Sequence, residues 1–171
     1  ANHVNFDDPT TFIPQYGSLG NMQLLDGQNI VCPEDVSNLR YTVIAKVDGK
    51  SLEVKDTAAL LSYSQELYVS QDTIFATHSF TKRTELDENI YKSVSMTEIT
   101  GISYAGEKLE ILGSVQVEGR VKDQYSMDQY NGILRVAATT TEHTTQRYVS
   151  GNSSGPMTDW LQILGRKTNC S

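Results

Sequence analysis

The sequence predicts an all-β fold of antiparallel four-stranded meanders, and three observations predict it. Tight hairpin signals punctuate the chain at Gln71-Asp72, Ala105-Gly106 and Asn131-Gly132. Val, Ile, Thr and Tyr are spread along its length in short runs, as strands require. Stretches sharing a strand–turn–strand pattern recur 57 to 59 residues apart.

Taken in chain order, residues 1–40 show no clear periodicity. Pro9, Pro14, Gly17 and Gly20 mark them as an extended, irregular lead-in. Tyr41 to Val47 is β-branched and ends at Asp48-Gly49, a turn signal. Asp56 to Leu61 reads as one turn of helix, because Asp56 can cap it and Ala and Leu favour helix; it is too short to stand alone. Glu66–Ser70 and Thr73–Thr77 form a tight hairpin, and Thr84 to Asn89 is a polar loop. Ile99–Tyr104 and Lys108–Leu112 form a second hairpin. The third joins Asp128–Tyr130 to Ile133–Thr139 through Asn131-Gly132, two residues that tolerate positive φ. Ser150 to Pro156 is a polar loop, and Asp159 to Leu164 opens another strand.

Leu52-Glu53 and Leu109-Glu110 sit at equivalent places, 57 positions apart; Phe75 and Leu134 match at 59. The expected organisation is a lead-in (1–40), one repeat (41–98), a second repeat (99–158) and the start of a third (159–171). About four strands per unit fits a propeller blade, whose repeat is typically about 40–50 residues, with lengthened loops here. Blades bury their faces against neighbours. The expected partners are therefore the remaining blades of a longer protein. Alone, the chain is expected to cover open faces and edges as a homodimer or by folding its lead-in across them.

Gln124, Tyr125, Ser126, Met127, Asp128, Tyr130, Gly132, Leu134, Arg135, Val136, Ala137 and Thr139 together form a recognisable run. It resembles the signature of secreted bacterial and archaeal proteins with a C-terminal β-propeller domain. The Glu66–Thr77 hairpin, Phe12–Tyr16 and Cys32–Asp35 are similar to other parts of that family. The resemblance implies a partial propeller in an extracytoplasmic protein, secreted or on the cell surface, with no catalytic residues to carry over. It makes Tyr125, Ser126, Met127, Asp128, Tyr130, Gly132 and Arg135 structural signature residues. The function expected is a non-catalytic binding or scaffolding module with a protein or glycan ligand. The alternative is a glycan-acting hydrolase, or a carbohydrate-binding module, whose site forms only in the complete propeller.

Charge and composition narrow the field. The net charge of −7 opposes binding to phosphate backbones, and the densest basic group is only Lys82-Arg83. No apolar run approaches the roughly 20 residues of a membrane span, and no signal peptide is expected within the chain, which reads as an excerpt. Cys32 and Cys170 lie near opposite ends. A disulfide between them would stabilise by about 4–5 kcal/mol in the chain-entropy model; the other reading is two unpaired thiols. Neither a metal site nor a cofactor is expected, since no CxxC, HxxxH, EF-hand or Gly-rich phosphate loop occurs. Asp7-Asp8 and Asp87-Glu88 read as solvated loops.

No catalytic set emerges. His3 is in the tail, and His78 and His143 are expected to face solvent where strands enter loops. Glu98, Glu110, Glu118, Asp123 and Asp128 read as surface carboxylates, with Asp128 a turn residue bonding nearby amides. Arg135 is expected in a structural ion pair or facing solvent. Tyr16, Tyr125, Tyr130 and Trp160 are expected to pack between blades, the other reading being an aromatic platform for sugar.

Overall fold

The computed structural model describes residues 4–34, 40–148 and 160–170, with side chains for 4–34 and 40–145. Its strands are β1 (Gln15–Ser18), β2 (Asn21–Leu24), β3 (Ile30–Val31), β4 (Thr42–Val47), β5 (Val54–Leu60), β6 (Leu67–Val69), β7 (Thr73–Asp87), β8 (Ile90–Ser103), β9 (Glu110–Glu118), β10 (Arg120–Val121), β11 (Met127–Tyr130), β12 (Ile133–Val136), β13 (Ala138–Tyr148) and β14 (Trp160–Cys170). Among the described residues there is no α-helix. Three 3-10 turns occur, each started by an Asp (Asp8, Asp26, Asp123) whose carboxylate accepts a backbone N–H. The expected all-β fold is thus present.

Seven strands share one sheet in the order β10-β13-β8-β7-β6, with β14 on β13 and β9 on β8; β3-β5-β4 form a second sheet, and β1-β2 and β11-β12 are separate hairpins. The chain folds as two compact units, residues 1–78 with 100–114, and residues 79–99 with 115–171. Each expected repeat contributes to both. β7, β8 and β9 run from one unit into the other.

In the first unit β5 is the central strand of its sheet, parallel to β3 and antiparallel to β4. Thr57, Ala58, Ala59 and Leu60 on it are all buried. This corrects the helical turn expected at Asp56–Leu61. A continuous buried run marks a strand covered on both faces as well as it marks a helix, and tertiary burial overrides the helix preference of Ala and Leu. Ile44, Leu60, Ala76 and Ile102 form the core, with Val31, Ile74 and Leu109 packed against it. Polar ties close its rim: the Leu109 amide donates to Asp56 Oδ2 at 2.7 Å, and Lys46 Nζ donates to the carbonyls of Tyr104 and Gly106.

The turn after β4 uses other residues than expected. Leu52, not Gly49, takes the left-handed conformation (φ 58°). Asp48 organises the loop by accepting the amides of Lys50 (2.9 Å) and Ser51 (2.8 Å). The lead-in also holds more structure than its composition suggested. Gly17 has φ +127° in the β1-β2 hairpin, where a Cβ would meet the Asn21 carbonyl oxygen at 2.4 Å, and Leu25 beyond it is buried.

In the second unit β7 extends to Asp87 and turns through Glu88-Asn89 alone, with Asn89 at φ 64°. The polar loop expected at Thr84–Asn89 is therefore mostly strand, its polarity reflecting exposure rather than irregular backbone. β8 then shares one edge between two partners. Residues Ile90–Val94 pair with β13, and at Ser95 the edge passes towards β9. The junction is tied by hydrogen bonds. Gly119 donates its amide to the Ser95 carbonyl at 2.7 Å and accepts Thr97 Oγ1 at 2.7 Å. Ser95 Oγ accepts the Thr141 amide at 3.0 Å. Gly119 has φ +101°, and a Cβ there would lie 2.8 Å from the Thr139 carbonyl. Only glycine satisfies both demands.

Substituting Gly119→Ala is expected to lower stability by at least about 2 kcal/mol, through strain at positive φ and collision with Thr139; chemical denaturation measures it, and an unchanged midpoint would contradict the junction. A second expectation concerns Asp48. The Ser51 and Lys50 amides hold its carboxyl below the ordinary value of 3.8. A folded-state depression contributes stability above the unfolded pKa and loses it as pH falls through the folded one. An NMR titration should find the Asp48 carboxyl and the Ser51 amide moving together with a midpoint below that value, and Asp48→Asn should remove both.

Candidate functional site

The signature run becomes one short, well-anchored hairpin. Asp123 starts it: Oδ1 accepts the amides of Tyr125 and Ser126 at 3.1 Å each and the Ser126 hydroxyl at 3.0 Å. β11 and β12 then pair in the register Met127↔Val136, Asp128↔Arg135, Gln129↔Leu134 and Tyr130↔Ile133. Asn131 (φ 49°) and Gly132 (φ 75°) make the turn with positive φ at both positions, as their identities demanded. The Ala137 amide returns to the Ser126 carbonyl at 2.8 Å and closes the base.

Residues opposite each other in an antiparallel pair share a face. One face holds Met127, Gln129, Leu134 and Val136. Met127 is buried, as are nearby Val121 and Ala138 in the same unit, and the remaining three are half-buried. The other face holds Asp128, Tyr130, Ile133 and Arg135, all exposed. Tyr130 is 64 % and Ile133 65 % accessible, so an aromatic–aliphatic pair stands in water on a hairpin whose opposite side is anchored. Beside it Arg135 pairs with Asp128 across the strands, and its guanidinium carbon lies 5.5 Å from the Tyr130 ring centroid. The face thus presents a tyrosine ring, an aliphatic side chain and a held guanidinium.

Several sequence expectations change here. Asp128 is not a turn residue bonding amides; that work falls to Asp123, while Asp128 sits in β11 opposite Arg135. Tyr125 and Tyr130 do not pack in a core, Tyr125 being 86 % accessible. Tyr16 is half-buried and donates its hydroxyl to Gln23 Oε1 at 3.2 Å. The Trp160 side chain lies outside the described residues, as does His3. Arg135 forms the ion pair expected of it and also faces solvent. Ile133 was missed as a surface residue; counting outward from the Asn-Gly turn in steps of two would have placed it opposite Tyr130.

The other candidates lie apart. His78 is 7 % accessible in the middle of β7, and His143 is half-buried in β13 opposite Ser93, so neither is a solvent-facing residue at a strand end. Glu98 is buried and accepts the Gln116 amide at 3.4 Å, while Glu110 and Glu118 are exposed. Cys32 is exposed and has no disulfide partner among the described residues; beside it, burial first and the nearby thiol second push the Tyr41 hydroxyl pKa up. The Cys170 side chain lies outside the described residues. Among the described residues, no group of three or more His, Cys, Asp or Glu is placed to hold a metal ion, and no helix is long and apolar enough to cross a membrane.

The two charged ends of this hairpin should differ in weight. Asp123→Ala removes a carboxylate that serves three donors and should cost about 1–2 kcal/mol. Asp128→Ala removes an exposed ion pair and should cost under about 1 kcal/mol. Urea denaturation of both variants checks the ranking, and equal losses would contradict it. A family model described as a beta propeller domain matches residues 2–169. No curated protein and no solved structure matches the chain.

Proposed function

Because the chain belongs to the beta propeller domain family, we propose that it is a non-catalytic binding module of an extracytoplasmic protein, and that it meets its ligand through the exposed face of the β11-β12 hairpin. Propeller domains act in general as binding or scaffold modules. The observation that carries the reading is the exposed set Tyr130, Ile133 and Arg135 on a hairpin anchored from its other face. Tyr and Arg dominate the energetic centres of protein interfaces, and an aromatic ring held beside a guanidinium loses little side-chain freedom when a partner covers it. The remaining blades of a longer protein would complete the propeller around this module.

A protein ligand fits this face best, since an aliphatic side chain and a paired Arg accompany the ring. A second reading is favoured by Tyr125 and Tyr130, both largely exposed: rings free to stack suit a sugar. Screening the protein on peptide and glycan arrays separates the two. Tyr130→Ala and Arg135→Ala should each weaken the ligand found by about tenfold or more without shifting the thermal midpoint beyond a few degrees. Unchanged binding in both variants would refute this assignment of the face, and a glycan hit lost with Tyr125→Ala would select the second reading.

A further inference from the structure

The second unit carries a long uncovered strand edge. β6 pairs with β7 only over Ile74–Ala76, and two further backbone bonds reach as far as Thr77. Beyond that point β8 flanks β7 on one side. Among the described residues no strand lies on the other, and Thr81 through Asp87 are all exposed. Such an edge presents a row of amides and carbonyls to any strand that matches it.

Charge on this edge is polarised. Lys82 and Arg83 open the segment, and Glu85 and Asp87 close it. Strand alternation puts Thr81, Arg83, Glu85 and Asp87 on one face and Lys82, Thr84 and Leu86 on the other. The Arg83 guanidinium carbon lies 3.9 Å from the Tyr91 ring centroid, which holds the charge in place over the sheet. None of Lys82, Arg83, Glu85 and Asp87 takes part in a salt bridge among the described residues.

A segment basic at its start and acidic at its end complements itself when reversed. We propose that this edge pairs with the same edge of a second copy of the chain, antiparallel, on a two-fold axis at Thr84. In that register Arg83 lies opposite Glu85 of the partner subunit, and Thr81 opposite Asp87 of the partner subunit. Lys82 covers Leu86 of the partner subunit with its aliphatic stem. The two-fold makes every pair occur twice. Slipping by one residue would move Arg83 against Leu86 of the partner subunit and lose both Arg–Glu pairs.

Sedimentation velocity on the full chain from roughly 1 µM to 1 mM tests this, with far-UV circular dichroism to confirm folding. The wild-type chain should show a concentration-dependent dimer that weakens with added salt. Glu85→Arg and Arg83→Glu should each raise the dissociation constant about tenfold, since each puts like charges opposite one another twice. The double variant R83E/E85R restores opposite charges and should recover the wild-type constant to within about threefold. A chain that stays monomeric throughout, a dimer indifferent to the single reversals, or a double variant no better than the singles would overturn the proposal.

Discussion

The edge of β8 serves two strands in succession, and the fold of the second unit depends on how that division is made. β13 holds the edge up to Val94, and the handover falls at Ser95. There one glycine does what no other residue could. Gly119 gives its amide to Ser95, takes the Thr97 hydroxyl on its carbonyl, and stands so close to Thr139 that a methyl group would collide. It is also the residue at which β9 ends and β10 turns away to pair with β13. The signature hairpin follows a few residues later.

The interior around the junction is laced with hydroxyls beside buried apolar groups such as Met96, Ile99 and Val121. Thr97 shares a contact with Ser79, Ser95 is tied to Thr141, and in the first unit Thr77 exchanges bonds with Glu66. A buried hydroxyl left unpaired is costly, whereas a paired one fixes register as well as distance. The Thr and Ser residues that lower the hydropathy of this chain therefore specify its strand pairing. The large apolar groups that a denser core would enclose are partly outside, and Tyr130 and Ile133 are among them.

The hairpins were the most legible part. Asn131-Gly132 dictates a local conformation through the positive φ both residues tolerate; the structure has that turn and the Gln71-Asp72 turn where the residues put them, the latter also tied by the Tyr104 amide to the Asp72 carbonyl at 2.8 Å. Asp56–Leu61 and Thr84–Asn89 were misread for one reason. Local preference describes an isolated segment, but the first stretch became a strand through burial on both faces and the second through pairing with β8. His78 is buried because β7 runs on past it; a strand expected to end at Thr77 would have left it in a loop.

The sequence by itself determined the class of fold, the Asn131-Gly132 turn, and the alternation that sorts Asp128, Tyr130, Ile133 and Arg135 onto one face, because each follows from φ preferences and a period of two. It could not say which face would be solvated. That outcome rests on contacts between residues far apart in the chain, such as Ser95 with Gly119 and Thr141. Such contacts exist only once the strands have chosen their neighbours.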